Sequence, residues 1–431
     1  MSIKKENPKI DFVQNEHEIL KYWSEKDIFK KLVLKNSNGP KWSFLDGPIT
    51  ANNPMGVHHA WGRTLKDLYQ RYKAMNGYQL RYQNGFDCQG LWVEIEVEKE
   101  LGIKSKKEVE ELGIEKFVNL CKDRVLKYSE IQKNQSIRLG YWMDWENSYF
   151  TMSEENNYAI WAFLKKLFED NKIYRGTDVV PWSGRSGTSY SQMEIIEGRK
   201  LTVHKGVFVK FPVKDRDNEN ILIWTTTPWT LSSNIAVAVN KKINYAKIKV
   251  KDGTIYYVAE TNLKYQRLSK EFSEKKNWVE GVPKLKTLDQ IFKERGGYEV
   301  IEVLKGENLI GLNYSGPFDH LEPQKTVGGY PVIDKNNINK KTAIDCHVII
   351  DGGKDSEGND MVVEGEGTGF VHMAGGCGAI DNKICKKEGF VEISPIDNQA
   401  NFLEGFDFMS GLNVTDAQTA EKIISNLKER D

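Results

Sequence analysis

Residues 41–82 alternate between strand-like and helical patterns, and this alternation constrains the fold more than any other feature of the sequence. A short strand-like run, residues 42–45, leads into a loop rich in glycine, proline and asparagine. Apolar residues then recur at helical spacing until Asn76 and Gly77, a pair typical of a helix end. Residues 78–82 alternate like a strand. Together these patterns predict a βαβ unit, the building block of a parallel sheet that binds ligands at the carboxyl ends of its strands.

The rest of the chain predicts a change of architecture near residue 200. Helical periodicity returns over residues 117–131 and 158–168, whereas the later part consists of short β-rich runs, with a hairpin turn at Asp252 and Gly253. A chain of 431 residues is also too long for one core, which rarely serves more than about 250 to 300 residues. We therefore expect a helical extension, an α/β domain, a mostly β domain and a final arm, over residues 1–40, 41–199, 200–398 and 399–431.

The balance of charge excludes a general attraction to nucleic acid or to an anionic membrane surface. Lysine and arginine together number 61, as do aspartate and glutamate, so the formal net charge is zero and any polyanion site must be local. The first residues lack an apolar signal region, and no run approaches the ~18 apolar residues of a membrane span. We therefore expect a cytoplasmic protein without a membrane partner.

Two of the 7 histidines, His58 and His59, lie side by side where the loop enters the helix. The amino terminus of a helix presents unpaired N–H groups and binds phosphate readily. Gly56 would let the backbone approach closely, and the imidazoles could donate hydrogen bonds to phosphate oxygens. The pair could instead only cap the helix or pack under the loop, so the spacing alone leaves both interpretations open.

The wider stretch resembles the first signature of class I aminoacyl-tRNA synthetases, specifically the isoleucyl-tRNA synthetases. The segment reads DGPITANNPMGVHHAWGRTLKD, whereas the family has DGPPYANG, a spacer, His-x-Gly-His and a helix containing Lys-Asp. The family's histidine, glycine and histidine fall on Gly56, His58 and His59. The resemblance implies that His59 is a ligand of an ATP phosphate, that His58 reaches the same phosphate, and that Gly56 supplies the close approach.

A second segment, NGFDCQGLWVEIEVEKELG over residues 84–102, resembles the family's GWDxHGLPIE element. The family's aspartate, which holds the ammonium group of the amino acid, falls on Asp87. Gln89 stands where the family usually has histidine, and Trp92 where it has proline. The resemblance implies that Pro48, Asp87 and Gln89 bind the amino-acid substrate. Without it, Asp87 would be interpreted as a loop aspartate that caps the next turn.

Two segments of the β-rich part resemble the editing pocket of the isoleucyl family. WTTTPWTLSSN, residues 224–234, clusters hydroxyl groups that could orient a water, although strands favour threonine in any case. GEGTGFVHMAGGCGAIDN, residues 365–382, places a histidine and an aspartate on the family's positions. The resemblance implies that the aspartate binds the ammonium of a misattached amino acid, whereas by itself the histidine would be interpreted as a core residue. The expected editing residues are Thr225, Thr226, Thr227, Thr230, Asn234, His372 and Asp381.

The resemblance also bears on metals. The family's WCPRCGT segment, whose paired cysteines commonly bind zinc, reads WSGRSGT here, with Ser183 and Ser186 in place of the cysteines. Because serine is a poor zinc ligand, we expect no zinc at this position.

Taken together, the resemblance implies an α/β fold: the first half of a Rossmann-like class I catalytic domain, interrupted by the start of an inserted, mostly β editing domain called CP1. The final arm would be the return of that insertion. The implied substrates are isoleucine, ATP with Mg²⁺, and tRNA(Ile), and valyl-tRNA(Ile) would be hydrolysed in the editing domain. We expect a monomer.

The sequence contains neither the family's Lys-Met-Ser-Lys-Ser loop nor its anticodon-binding domain. We therefore expect the amino-terminal part of a longer enzyme, which makes little adenylate unaided. Two alternatives stay open: a free-standing editing deacylase and a non-catalytic tRNA-binding paralogue.

Overall fold

A computed structural model describes residues 10–44, 46–198, 204–264, 286–331, 339–354 and 358–430. The chain divides into two compact units, Met1–Arg175 and Gly176–Asp431. The domain boundary expected between residues 199 and 200 falls outside the described residues and stays a prediction.

The first unit combines helices with short parallel strands. Its helices are α1 (Phe12–Glu25), α2 (Ile28–Lys35), α3 (Val57–Met75), α4 (Leu91–Leu101), α5 (Lys106–Leu112), α6 (Ile114–Arg138) and α7 (Glu154–Glu169). Its strands are β1 (Lys41–Trp42), β2 (Ile49–Thr50), β3 (Gln79–Leu80), β4 (Gln83–Asp87) and β5 (Asp144–Phe150). Strand β1 pairs in parallel with β3, and β2, β4 and β5 form a second parallel ladder in that order.

The predicted βαβ unit is confirmed, because α3 connects two strands that run in the same direction. Both strands are shorter than expected. The second run forms only β3 and ends at Tyr82, whose φ of 53° lies in the left-handed region and separates β3 from the following strand β4. Strands β3 and β4, which follow one another in the chain, therefore belong to two ladders, and the pairing of β4 with β2 places the loop before α3 beside the end of β4.

The second unit is mostly β, as the sequence predicts. Its strands are β6 (Trp182–Ser183), β7 (Thr188–Ser189), β8 (Val207–Pro212), β9 (Glu219–Thr225), β10 (Ala236–Val239), β11 (Asn244–Val250), β12 (Ile255–Ala259), β13 (Tyr298–Lys305), β14 (Ile349–Asp351) and β15 (Val371–Met373). Its helices are α8 (Gln192–Gly198), α9 (Leu288–Glu294), α10 (Glu322–Lys325), α11 (Ala379–Glu388) and α12 (Ala417–Glu429).

Two sheets organise this unit. One has the strand order β13-β11-β12-β9-β8 and the other has the order β14-β10-β15. The middle of strand β9 is apolar because both of its faces are covered: Ile221 and Ile223 face the main core, and Leu222 faces a second cluster around Ile248. The predicted hairpin turn is confirmed between β11 and β12, where Gly253 has a φ of 95°.

A 3-10 turn, Pro228–Ser233, connects the two sheets of the second unit. It follows β9 and leads into β10, and β10 pairs antiparallel with β15, so that Val237 lies opposite His372. The threonine-rich segment and the predicted editing histidine are thereby brought to neighbouring strands. Among the described residues, no helix is both long and apolar enough to cross a membrane.

Candidate active sites in the two units

The histidine turn lies at the start of α3, for which Gly56 is the N-cap residue. The backbone N–H of Gly56 donates a hydrogen bond to Nδ1 of His59, with 3.1 Å between the nitrogens. The ring of His58 is exposed, and its centroid lies 3.8 Å from that of His59. The structure therefore brings the three predicted residues together, and it shows that one imidazole caps the helix.

This capping bond fixes which nitrogen of His59 can donate. Because Nδ1 accepts from Gly56, the neutral ring carries its proton on Nε2. Burial lowers the pKa of His59, and the neighbouring charges of His58 and Arg63 lower it further. The ring is thus a neutral donor through Nε2, which is the property that hydrogen bonding to a phosphate oxygen requires. Capping and phosphate binding are compatible rather than exclusive.

Gly56 is required for space and not for its backbone angle, since its φ of −81° is open to any residue. A Cβ atom at this position would lie 2.9 Å from Cε1 of His58. The glycine therefore leaves room for the ring of His58 to fold back over the turn.

Buried and half-buried polar side chains of α6 hold the loop that precedes the histidines, and the sequence reasoning missed them. Gln132 donates to the backbone oxygens of Thr50 and Asn53 at 2.9 and 2.8 Å. Gln135 accepts from the backbone N–H of Met55 at 2.7 Å. Arg124 donates to the backbone oxygen of Asn52 at 2.7 Å. The sequence could have indicated these residues as polar positions on the inward face of a helix with apolar periodicity. Such groups need hydrogen-bond partners when they are buried.

The predicted amino-acid site lies at the carboxyl ends of β2 and β4, where Thr50 and Asp87 are paired. The hydroxyl of Thr50 donates to Oδ2 of Asp87 at 3.0 Å. Pro48 directly precedes β2. Gln89 is held by Thr151, to whose backbone oxygen it donates at 3.0 Å and from whose hydroxyl it accepts. The amide of Gln89 is therefore already engaged, and its direct contact with a substrate stays a prediction.

A cavity of about 450 Å³ lies in the second unit. Six of the seven predicted editing residues line it: Thr225, Thr226, Thr227, Thr230, His372 and Asp381. The remaining lining includes the aromatic rings of Trp224 and Trp229 and the thiol-bearing Cys377. The sequence reasoning missed Cys377, since only the tertiary fold shows that the residue faces the cavity.

Hydrogen bonds give the threonines of the cavity defined roles. The hydroxyl of Thr230 donates to the backbone oxygen of Thr227 at 2.9 Å. Its oxygen lies 3.0 Å from Nε2 of His372, which must therefore supply the proton of this second bond. Burial lowers the pKa of His372 to about 4, so the ring is neutral near pH 7. Thr225 accepts from the backbone N–H of Thr227 at 3.1 Å.

Asp381 places a carboxylate at the cavity from the first turn of α11. Its Oδ2 accepts from the backbone N–H of Ala374 at 3.0 Å. Burial raises its pKa above the ordinary value, because the charged form loses contact with water. A Cβ atom at Gly378 would lie 2.8 Å from its Cγ, so this glycine makes room for the carboxyl group. An ammonium group is the natural partner for a carboxylate in such a place.

Asn234 does not reach the cavity, in contrast to the expectation from sequence. It is 1% exposed, its Nδ2 donates to the backbone oxygen of Ala236 at 3.1 Å, and its Oδ1 accepts from the hydroxyl of Tyr314 at 2.7 Å. Since both ends of its amide are used inside the core, its role is to fix the start of β10.

The segment of Ser183 and Ser186 forms a small hairpin between β6 and β7. Ser183 accepts a hydrogen bond from the backbone N–H of Ser186 at 3.2 Å, so its hydroxyl closes the turn. Within the part of the chain that the structure describes, no group of three or more histidine, cysteine, aspartate or glutamate side chains could hold a metal ion.

Comparison with known proteins shows which family the chain matches. The model of the family described as "tRNA synthetases class I (I, L, M and V)" matches residues 18–315. Three curated relatives are named isoleucine–tRNA ligase. That of Clostridium tetani is 35% identical over 97% of this chain and 35% of its own length. That of Clostridium acetobutylicum is 35% identical over 99% and 36%. That of Sulfolobus acidocaldarius is 34% identical over 98% and 36%.

The chain thus spans about a third of the length of these relatives. Among solved structures, the LeuRS of Agrobacterium radiobacter K84, in a ternary complex with tRNA and LeuAMS, matches 54% of this chain and 34% of its own, with 18% identity and a TM-score of 0.34. This likeness is too partial to carry an argument.

Proposed function

We infer that this chain, which belongs to the class I tRNA synthetases (I, L, M and V), is part of an isoleucine–tRNA ligase. The α/β first unit and the β-rich second unit fit a class I catalytic domain with an inserted CP1 domain. The first unit would activate isoleucine with ATP, and the second would hydrolyse valyl-tRNA(Ile).

The observation that carries the editing function is the meeting of two distant segments at one cavity. Residues 225–230 contribute the threonines, and residues 372–381 contribute the histidine and the carboxylate. Valine and isoleucine differ by one methylene, which a hydrophobic pocket discriminates weakly, and isoleucyl-tRNA synthetases are themselves the standard illustration of this limit. A second cavity that admits only the smaller side chain would remove the error.

In the proposed reaction, Asp381 accepts hydrogen bonds from the α-ammonium group of the valyl ester. A water oriented by the threonine hydroxyls attacks the ester carbonyl carbon. The bond between that carbon and the ribose oxygen breaks, the ribose oxygen takes the proton that the attacking water gives up, and valine and tRNA are released. Thr230 offers an oxygen lone pair, because its own proton is directed at Thr227.

For activation, the carboxylate of isoleucine would attack the α-phosphate of ATP, the bond between the α-phosphorus and the bridging oxygen to the β-phosphate would break, and isoleucyl-adenylate and pyrophosphate would form, with Mg²⁺ accompanying the nucleotide as part of the substrate. His59 would donate from Nε2 and His58 from its exposed ring to the phosphate oxygens. Asp87 would hold the ammonium group of isoleucine at the end of β4.

Hydrolysis of valyl-tRNA(Ile) by the 431-residue chain tests the editing proposal directly. Asp381→Asn keeps the shape of the side chain and removes its charge, so we expect deacylation to fall by about tenfold or more. Asp217→Asn, an exposed change in the same unit, should leave the rate unaltered. Equal rates in the wild type and Asp381→Asn would refute the assignment.

A further inference from the structure

The loop between β15 and α11, residues 374–378, is built largely from glycine, which supplies three of its five residues. We call it the glycine loop. Its first residue, Ala374, provides the backbone N–H that donates to Oδ2 of Asp381 at 3.0 Å. Glycine restricts the backbone less than any other residue. The position of this N–H therefore depends on contacts from outside the loop.

The glycines of this loop are required for space. A Cβ atom at Gly375 would lie 3.1 Å from Sγ of Cys385, and one at Gly376 would overlap the backbone oxygen of Ile393. The loop thus lies directly against α11 and against the segment that follows that helix. Because a larger side chain that stiffened the backbone would not fit, hydrogen bonds must hold the loop in place.

Asn382, the neighbour of Asp381 in α11, supplies such a bond. It is 2% exposed, and its Nδ2 donates to the backbone oxygen of Gly375 at 2.8 Å. The same nitrogen donates its second proton to Oε2 of Glu392 at 3.0 Å. A carbonyl oxygen and a carboxylate both accept, so the two partners fix the orientation of the amide. Asn382 therefore joins the glycine loop to the segment behind it.

Glu392 gives Asn382 a fixed anchor. The backbone oxygen of Glu392 accepts from the N–H of Tyr330 at 2.9 Å, and the N–H of Ser394 donates to the backbone oxygen of Tyr330 at 2.7 Å. The hydroxyl of Ser394 donates to Oε1 of Glu392 at 3.5 Å. The segment that carries this carboxylate is thus held by its own backbone pairing, independently of the glycine loop.

We propose that Asn382 is a positioning residue of the cavity and acts through Asp381. By holding the backbone of Gly375, it fixes the neighbouring N–H of Ala374. That N–H in turn fixes the direction of the Asp381 carboxylate, which would hold the ammonium group of the ester. A carboxylate that is already oriented binds this group more tightly, because less ordering is needed on binding. The inference rests on the proposed editing function and concerns a residue that does not line the cavity.

Deacylation of two esters by the 431-residue chain tests this role. One is valyl-tRNA(Ile), and the other is tRNA(Ile) esterified with 2-hydroxyisovalerate, in which a hydroxyl group replaces the ammonium group. We expect Asn382→Ala to slow hydrolysis of the valyl ester about tenfold and that of the hydroxy ester less than about twofold, because only the valyl ester is held by the charge of Asp381. Asn308→Ala, an exposed asparagine of the same unit, is the matched control and should change neither rate.

A double variant separates positioning from a general structural role. If Asn382 acts through Asp381, then Asn382→Ala should slow hydrolysis of the valyl ester no further in a chain that already carries Asp381→Asn. Equal slowing of the two esters by Asn382→Ala, or additive losses in the double variant, would overturn the proposal.

Urea unfolding curves show whether Asn382→Ala is folded under the assay conditions. If it is not, Glu392→Ala replaces it in the test, because this change removes the second acceptor of Asn382 and leaves α11 and the glycine loop intact. The same selective loss on the valyl ester is expected, and its absence would contradict the proposal. A wild-type rate in Asp381→Asn would refute the editing function itself. A slow Asp381→Asn together with an unaltered Asn382→Ala would refute only the positioning role.

Discussion

The hydroxyl oxygen of Thr230 lies 3.0 Å from Nε2 of His372, although 142 positions separate the two residues along the chain. The contact exists because β10 and β15 are neighbours in one sheet and the turn that carries Thr230 leads directly into β10. It fixes the direction of two protons and leaves a threonine lone pair for a substrate or a water.

Substitution of His59 should separate capping from catalysis. An asparagine can still accept from the backbone N–H of Gly56 but cannot donate from the position of Nε2. We expect His59→Asn to reduce ATP–pyrophosphate exchange strongly in the reconstituted enzyme while the free energy of unfolding changes little. His59→Ala should lose both the exchange activity and the capping hydrogen bond. Loss of the cap should lower the free energy of unfolding by about 1 kcal/mol. Wild-type exchange in His59→Asn would show that the imidazole only caps the helix.

Gly56→Ala should affect activity more than stability. The added methyl group would meet the ring of His58 at 2.9 Å, and that exposed ring can move aside. We expect the free energy of unfolding to fall by less than about 1 kcal/mol, whereas ATP–pyrophosphate exchange falls because His58 is displaced. Gly62→Ala is the control, since its methyl group meets no atom and lies in the interior of α3. It should raise stability by about 0.5–1 kcal/mol and leave exchange unchanged.

Stability of the second unit should fall on acidification through His372. Its pKa is lowered to about 4 in the folded state, below the ordinary value of 6.5. Between these values the unfolded chain binds the proton and the folded chain does not, so protonation favours unfolding. We expect a loss on the order of 1–3 kcal/mol from pH 6.5 to pH 4. His372→Gln should flatten this part of the profile in urea titrations, and an unchanged slope would contradict the prediction.

Asn234→Ala should act on folding rather than on a substrate. The change leaves the buried hydroxyl of Tyr314 without its acceptor, at a cost of about 1–3 kcal/mol. Tyr314→Phe removes the hydroxyl itself and should cost less, and the double variant should be less unstable than the sum of the two. If Asn234→Ala kept normal stability but lost deacylation, the prediction would be wrong and Asn234 would act at the cavity.

The sequence predicts much of this architecture from local patterns. The βαβ unit, the hairpin at Gly253 and the β-rich second unit follow from periodicity and turn residues. The resemblance of short motifs then predicted six residues that meet at one cavity. Such features are accessible because backbone conformation and motif chemistry depend on residues close together in the chain.

Other features were decided by tertiary structure alone. The break at Tyr82, the inward turn of Asn234 and the place of Cys377 at the cavity depend on residues far away in sequence. The polar face of α3 turns inward because Asn84 and Asp46 meet it there, and no periodicity shows which of two faces has partners. The sequence by itself determined which groups were available and where the chain turned. Burial and hydrogen-bond partners, which depend on packing between distant segments, decided what each group can do.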